Sequence, residues 1–276
     1  MRIAQYYGHN RIRLGWIRDN YIIPMDFDGG MIDFINRQQT PSADGNPISL
    51  DEIRLAPPVI RPSKIIAIGL NYKDHAAESG ADLPDLPEAP LIFAKFPNSV
   101  TGHDHNITWD INMTQKVDFE AELAVVIGKR IYDCTETEAM KAVFGYTCGN
   151  DVSARDLQFG DGQWVRGKSL DTFCPLGPWV VTPEDLPDPH SLQIQCRLNG
   201  QLMQDSNTGL MVFKVPDLIS FFSRHFTLLP GDIIMTGTPH GVGAFRDPSI
   251  YMKNGDEVII EIEGIGKLVN RCHTTG

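Results

Sequence analysis

Basic clusters, paired cysteines and long apolar runs are all missing from this chain, and each absence removes a class of function. Its 24 lysines and arginines face 35 aspartates and glutamates, a formal net charge of −11. With no basic stripe, nucleic acid and an anionic membrane surface are excluded as partners. A small anionic ligand would need cations placed locally. The five cysteines, Cys134, Cys148, Cys174, Cys196 and Cys272, are scattered, odd in number and lack any C-x-x-C pair. Neither a disulfide framework nor a zinc knuckle is therefore expected, and a reducing, cytoplasmic location is. No run of about 18 apolar residues occurs, and Met1 to Gly8 has no signal-peptide core, so neither a membrane span nor secretion is expected. The Asn-x-Thr triplets at Asn106 and Asn112 then read as chance matches. Internal repeats and low-complexity tracts are absent too.

What is present suffices for a full core: 276 residues, 42% of them hydrophobic. Residues 1–58 read as a small N-terminal β domain of short strands, closed by Pro57-Pro58, and residues 59–276 as the main domain. There, Lys64 to Leu70 is a buried-strand run. A short helix follows, with Asp74 as a capping residue and Gly80 as its end. The acidic, proline-bearing loop from Ala81 to Pro90 has the composition of a mobile lid. Strands then dominate: Leu91 to Lys95, Val117 to Ile127, Phe144 to Cys148, Trp179 to Val181, Gln193 to Leu198, Asp232 to Thr236 and Glu257 to Glu263. Helices are few and short, the clearest being Glu136 to Val143 and Val215 to His225. This predicts an α+β, mostly β fold, a mixed-sheet roll or sandwich rather than alternating βαβ units.

One strand carries the strongest chemical signal. In Val117-Asp118-Phe119-Glu120-Ala121-Glu122-Leu123, side-chain alternation puts Asp118, Glu120 and Glu122 on one face, the two glutamates about 7 Å apart. The same face continues as Ala124 and Val126, so the acids point into covered space, where they repel and are costly to desolvate. A hard divalent cation with oxygen ligands relieves both costs. Spacing alone is weak, however, because Glu261-Ile262-Glu263 repeats it, and such a pattern more often marks a half-solvated strand face. Asp151, at a strand-to-helix turn, reads either as a third carboxylate or as a helix cap. Arg155 and Gln158 share a helical face, with a solvated surface as the plain alternative, and His75 and Glu78 share another.

In combination these segments resemble the fumarylacetoacetate hydrolase family, closest to its domain-containing members. The likeness runs from Lys64 to Cys272. It is carried by Gly69-Leu70-Asn71-Tyr72 with His75 and Glu78, by Lys95-Phe96-Pro97 leading to Gly102, and by Val117 to Leu123. It continues through Asn150-Asp151-Val152-Ser153-Ala154-Arg155-Asp156, Gly167-Lys168-Ser169, Cys174 to Pro178, Pro230-Gly231-Asp232, Thr236-Gly237-Thr238-Pro239 and Gly241-Val242-Gly243. Just after Lys95 it lapses: Phe96-Pro97-Asn98-Ser99 stands where relatives carry lysine, proline and two serines.

The resemblance implies the fumarylacetoacetase C-terminal-domain fold and, as metal ligands, Glu120, Glu122 and Asp151. The ion would be Mg²⁺, with Mn²⁺ and Ca²⁺ as alternatives, and Asp118 would orient a ligand or balance Lys168. It further implies His75, Glu78 and Lys168 as catalytic residues, Arg155, Gln158 and Thr238 as substrate contacts, a small anionic oxo-acid substrate, and a homodimer. The leading expectation is hydrolytic C–C cleavage of a 2,4-dioxo acid such as an acylpyruvate, His75 activating water and the metal holding the enolate. The alternative needs no water: isomerisation, tautomerisation or decarboxylation of an oxo-dicarboxylic acid such as oxaloacetate or 2-hydroxyhepta-2,4-diene-1,7-dioate, with Lys168 as proton carrier. A non-catalytic oxo-acid-binding protein is the reading from another class.

Overall fold

Alternation along the strand Ala121–Ile127 sets the architecture of the computed structural model, which describes residues 1–8, 11–37, 41–78 and 88–276. All seven residues of this strand are buried, so it reads as a continuous run and not as an alternating one. Ala121, Leu123, Val125 and Ile127 enter a core shared with Ile194, Cys196, Ile260 and Leu268 of a second sheet. Ala124 and Val126 enter another, with Ile3, Leu14, Met25, Phe34 and Leu176. Each fully buried Leu or Val side chain contributes about 1.5–3 kcal/mol relative to an exposed one. The strand is thus held on both faces.

The larger sheet has 12 strands. Its central members run Arg2–Tyr7, Cys174–Val181, Val143–Asn150, Ala121–Ile127, Ile233–Met235, Ile65–Gly69 and Leu91–Lys95 in spatial order. The register pairs Ala121 with Asn150 and Glu122 with Gly149, which carries Glu120 alongside Asp151 just past the strand end. Leu91–Lys95 pairs with Ile65–Gly69 and delivers Lys95 to the same end of the sheet as Ile65. The second sheet has five strands, in the order Gln201–Asn207, Gln193–Leu198, Glu257–Ile262, Gly266–Thr275 and Asn106–Asp110. The result is a mostly β, mixed-sheet fold with short helices, as expected.

Residues 1–58 share sheet and core with the rest, since Ile3 pairs with Val180 and Leu14 and Met25 pack in the cluster holding Val126. They also hold a helix the sequence reading missed, Met31–Arg37, which buries Met31, Phe34 and Ile35 at helical spacing. Its Gly29-Gly30 lead-in reads as a turn. Helix Val215–His225 matches its expected bounds: Pro216 opens it, and Val215, Leu218, Ile219 and Phe222 form its buried stripe.

Two expectations need correction. Val117 to Ile127 is not one strand. Val117–Asp118 pairs with Ser153–Ala154, and the chain re-enters the sheet at Ala121 after Phe119-Glu120. Asp74 lies inside the first turn of helix Lys73–Glu78 and is not its cap. Of the loop expected as a lid, residues 81–87 lie outside the described residues, as does Gly80.

Candidate metal and active site

Glu120, Glu122 and Asp151 converge: one oxygen from each lies within 4.8 Å of the others, and all three are buried. Asp151 N–H donates to Glu120 O at 2.9 Å, and Glu120 N–H donates to Asn150 Oδ1 at 3.0 Å, so backbone and Asn150 lock the two acids together. The capping alternative for Asp151 fails, because helix Arg155–Gly160 starts at Ala154 and takes no side-chain cap. Glu122 accepts the Gly237 N–H at 2.8 Å. Gly237 holds φ +94°, a conformation that favours glycine, and a Cβ there would meet Asn71 at 2.7 Å.

Three cations answer these acids, all buried. Lys168 Nζ donates to Glu120 Oε2 at 2.8 Å and to Asp151 Oδ2 at 2.7 Å. Lys95 Nζ donates to the other Asp151 oxygen at 2.6 Å and to Val152 O at 3.2 Å. Arg155 Nη1 lies 2.7 Å from Glu120 Oε1 and 3.0 Å from Gln158 Oε1. Of the two roles expected of Asp118, balancing Lys168 is corrected: it balances Arg155, whose Nε and Nη2 reach Asp118 Oδ2 at 2.9 and 2.7 Å and whose Nη1 meets Glu120. Backbone N–H groups of Gly243 and Ala244 complete its shell at 2.8 and 3.0 Å. A Cβ on Gly243 would sit 1.8 Å from Ile250 O, so only glycine allows that approach.

The electrostatics single out Glu122. Burial raises Glu120, but Lys168, Arg155 and His75 more than offset this and bring it down to about 2. Burial likewise opposes the charge on Lys168, and Asp151 and Glu120 outweigh it, raising its pKa. Glu122 is pushed well above the ordinary carboxylate value by burial and by the neighbouring Asp151 and Glu120. Of the three acids it alone has no ion pair among the described residues. Three hard oxygen donors, one of them uncompensated, fit a divalent cation.

A cavity of about 250 Å³ opens onto this cluster, lined by His75, Glu120, Arg155, Gln158, Lys168 and Thr238 among others. Arg155 and Gln158 are buried here and not on a solvated face. Gln204 donates to Thr238 Oγ1 at 2.8 Å and accepts Ala121 N–H at 2.9 Å, tying the Thr238 turn to the acid strand. His75 Nδ1 lies 2.8 Å from Glu78 Oε1, and Glu78 Oε2 accepts Gly241 N–H at 2.8 Å. Glu78 thus orients His75 without lining the cavity. Sequence reasoning missed Lys95, although alternation puts it on the face of Phe93 and Leu91. It also missed Phe93, Trp164 and Phe245 on the cavity wall, for which the sequence holds no signal.

The sequence profile described as Fumarylacetoacetate (FAA) hydrolase C-terminal matches residues 64–273. Over 222 residues, 80% of this chain and 69% of the other, the chain is 50% identical to the protein named oxaloacetate tautomerase FAHD2B, mitochondrial, of Bos taurus. Among solved structures, fumarylacetoacetate hydrolase from Exiguobacterium antarcticum superposes with a TM-score of 0.91 at 35% identity, covering 100% of both chains. A 2-hydroxyhepta-2,4-diene-1,7-dioate isomerase from Mycobacterium marinum gives 0.84 at 35% identity, covering 100% of this chain and 99% of that one. Maleylpyruvate hydrolase from Sphingobium sp. SYK-6, in complex with manganese(II) ion and pyruvate, gives 0.81 at 29% identity over 100% of both chains.

Proposed function

The chain belongs to the fumarylacetoacetate hydrolase family, and from that premise we propose that it is a divalent-metal-dependent tautomerase or isomerase of small 2-oxo acids, with oxaloacetate-type dicarboxylates as the class suggested by its named relatives. The observation that carries this is Lys168, an ammonium group 2% exposed on the cavity wall between Glu120 and Asp151. Its raised pKa keeps it protonated at neutral pH. In ketonisation the enol loses its O–H proton, C3 gains one, and the C=C pair moves to make C=O. Lys168 donates to C3 and is reprotonated from solvent, while His75, held by Glu78, takes the enol proton. Arg155, Gln158 and Thr238 hold the carboxylate head, and Glu120, Glu122 and Asp151 hold the ion, Mg²⁺ by preference or Mn²⁺ or Ca²⁺. A bound cation would supply Lewis acidity to the oxygens of that head.

The expected C–C hydrolysis is the weaker reading: the tautomerase and isomerase names among the relatives support the water-free alternative. One observation still favours hydrolysis, the His75–Glu78 pair at 2.8 Å, a geometry suited to activating water. Metal-loaded protein given oxaloacetate, with enol absorbance followed, decides between them. Lys168→Ala is expected to lower kcat by about a hundredfold or more, the scale of one positioned acid–base group, with His75→Ala affected less. Cleavage of acylpyruvates without any tautomerase rate above buffer would overturn the proposal.

We also propose that residues 1–58 form a small β domain beside the catalytic domain of residues 59–276, joined to it through one shared sheet. A homodimer is proposed on the family resemblance, and light scattering tests it. The cytoplasmic location stays a proposal beside relatives named as mitochondrial.

A further inference from the structure

A fully buried glutamine stands behind the Thr238 side of the cavity, and its burial needs a reason. Gln204 belongs to Gln201–Asn207, an edge strand of the five-stranded sheet. Alternation would turn it to solvent, because its neighbour Met203 is buried. The pairing slips at this point instead: Gln204 faces Cys196 and Leu202 faces Arg197, which leaves Met203 as an extra residue. Such a bulge re-aims side chains, and here both neighbours point inward.

The Gln204 amide reaches from this sheet to the larger one. Its Oε1 accepts the Ala121 N–H at 2.9 Å, and its Nε2 donates to Pro239 O and to Thr238 Oγ1, both at 2.8 Å. The partners fix which end is oxygen, because a backbone N–H only donates and a carbonyl only accepts. Both amide hydrogens are therefore spent, one of them on the Thr238 oxygen. The two nearest protein acceptors for the Thr238 hydrogen are withdrawn at the same time, since Pro239 O is engaged and Gln204 Oε1 faces Ala121. Among the described residues that hydrogen meets no acceptor, and Thr238 lines the cavity. The turn carrying it is clamped as well. Thr236 Oγ1 donates to Leu123 O at 2.8 Å, the Gly237 and Gly241 N–H groups donate to Glu122 and Glu78, and a Cβ on Gly241 would collide with Met203 O in the bulge. The donor is thus set before a ligand arrives, which lowers the cost of ordering it on binding.

We propose that Gln204 is a positioning residue: it keeps the Thr238 hydroxyl hydrogen free for the cavity, so that Thr238 donates to an oxygen bearing no hydrogen, a carboxylate or keto oxygen of the 2-oxo acid. This rests on the cavity being a 2-oxo-acid site and is testable without turnover. The test uses Mn²⁺-loaded protein, with pyruvate binding by calorimetry beside ketonisation of oxaloacetate enol. Gln204→Glu keeps the shape and the acceptor for Ala121 but replaces the donor end by an acceptor, which draws the Thr238 hydrogen out of the cavity. Gln204→Met removes the donor without adding charge, and frees Pro239 O to take that hydrogen. Each should raise the pyruvate Kd and the oxaloacetate KM about tenfold, the scale of one hydrogen bond to a charged group, with kcat changed less than about threefold. Thr238→Val should show the same split, and Thr238→Ser should recover most of that loss. Gln204→Met combined with Thr238→Val should be no worse than Thr238→Val alone, because both remove one interaction. An unchanged pyruvate Kd in folded Gln204→Met, or in Thr238→Val, overturns the proposal. Losses that multiply in the double variant, or that fall equally on kcat and KM, assign Gln204 a structural role and overturn it too. Pyruvate binding that follows the expected pattern with no ketonisation by the unsubstituted protein removes the tautomerase reading and leaves the role of Gln204 standing.

Discussion

Glu120-Ala121-Glu122 and Glu261-Ile262-Glu263 share spacing and apolar surroundings, yet Glu122 is 1% exposed while the Glu261 side chain is 38% exposed. Both lie in or beside strands flanked by neighbours on either side, so edge position is not the cause. The cause is coverage. Ala121–Ile127 is packed on both faces, whereas Glu257–Ile262 buries only Val258, Ile260 and Ile262 and turns its other face outward. On that open face Glu261 meets its cross-strand partner Lys267 at 3.3 Å in water, and Glu263 accepts the Gln193 N–H at 3.1 Å. In the covered case the same spacing forces acids together, and three buried cations gather round them. A repeated motif therefore gathers buried cations only where a second layer closes over it.

Alanine at the two motifs should separate them most. Glu120→Ala is expected to remove several kcal/mol of catalytic stabilisation, about a thousandfold in kcat/KM at 1.36 kcal/mol per tenfold, while Glu261→Ala leaves kcat/KM as it was. Equal losses would break the comparison. Next come the lysines. Lys95→Met leaves one Asp151 oxygen without its cation in a dry site, with Lys168 still on the other, and should cost about 1–3 kcal/mol of metal-free stability by urea unfolding, where Lys267→Met, in an exposed pair, costs under about 1 kcal/mol. Added Mn²⁺ should recover part of the Lys95→Met loss, since the ion takes over the Asp151 charge.

A smaller effect depends on pH. In metal-free protein Glu122 keeps its proton well above the ordinary 4.5, so the native state binds a proton that the unfolded chain has released. Stability from this group therefore falls as pH rises from 4.5 through the folded value. Glu122→Gln should gain on wild type as pH rises above 4.5 in unfolding titrations with chelator present, and the gain should vanish when divalent cation is added to wild type. A difference that grows toward low pH would contradict the burial argument. Smallest of all, Glu263→Gln is expected to shift stability by no more than about 0.5 kcal/mol at any pH.

Much of the site was legible in the residues. The ordered blocks around Glu120, Asp151, Lys168 and His75 lie together as the family resemblance implied, and the helix Val215–His225 followed from its own periodicity. Lys95 was less legible, because nothing local ties a lysine at a strand end to an acid 56 positions away. For Asp118 the resemblance implied either orienting a ligand or balancing Lys168, and the second fails because the carboxylate meets Arg155, 37 positions away, which also holds Glu120.

By itself the sequence determined the fold class, the want of a cation along one strand, and the small set of acids, bases and cations able to work together. Those follow from local propensity, alternation and the cost of burying charge, which act over a few residues. Which Glu-x-Glu pair was buried, which cation met which acid, and which rings walled the cavity were decided by the tertiary structure. Ala121 opposite Asn150, Glu122 without an ion pair, and Trp164 against Gly69 arise from strand register and layer packing between distant segments. Such contacts depend on coverage in three dimensions, and coverage leaves no local trace in the chain.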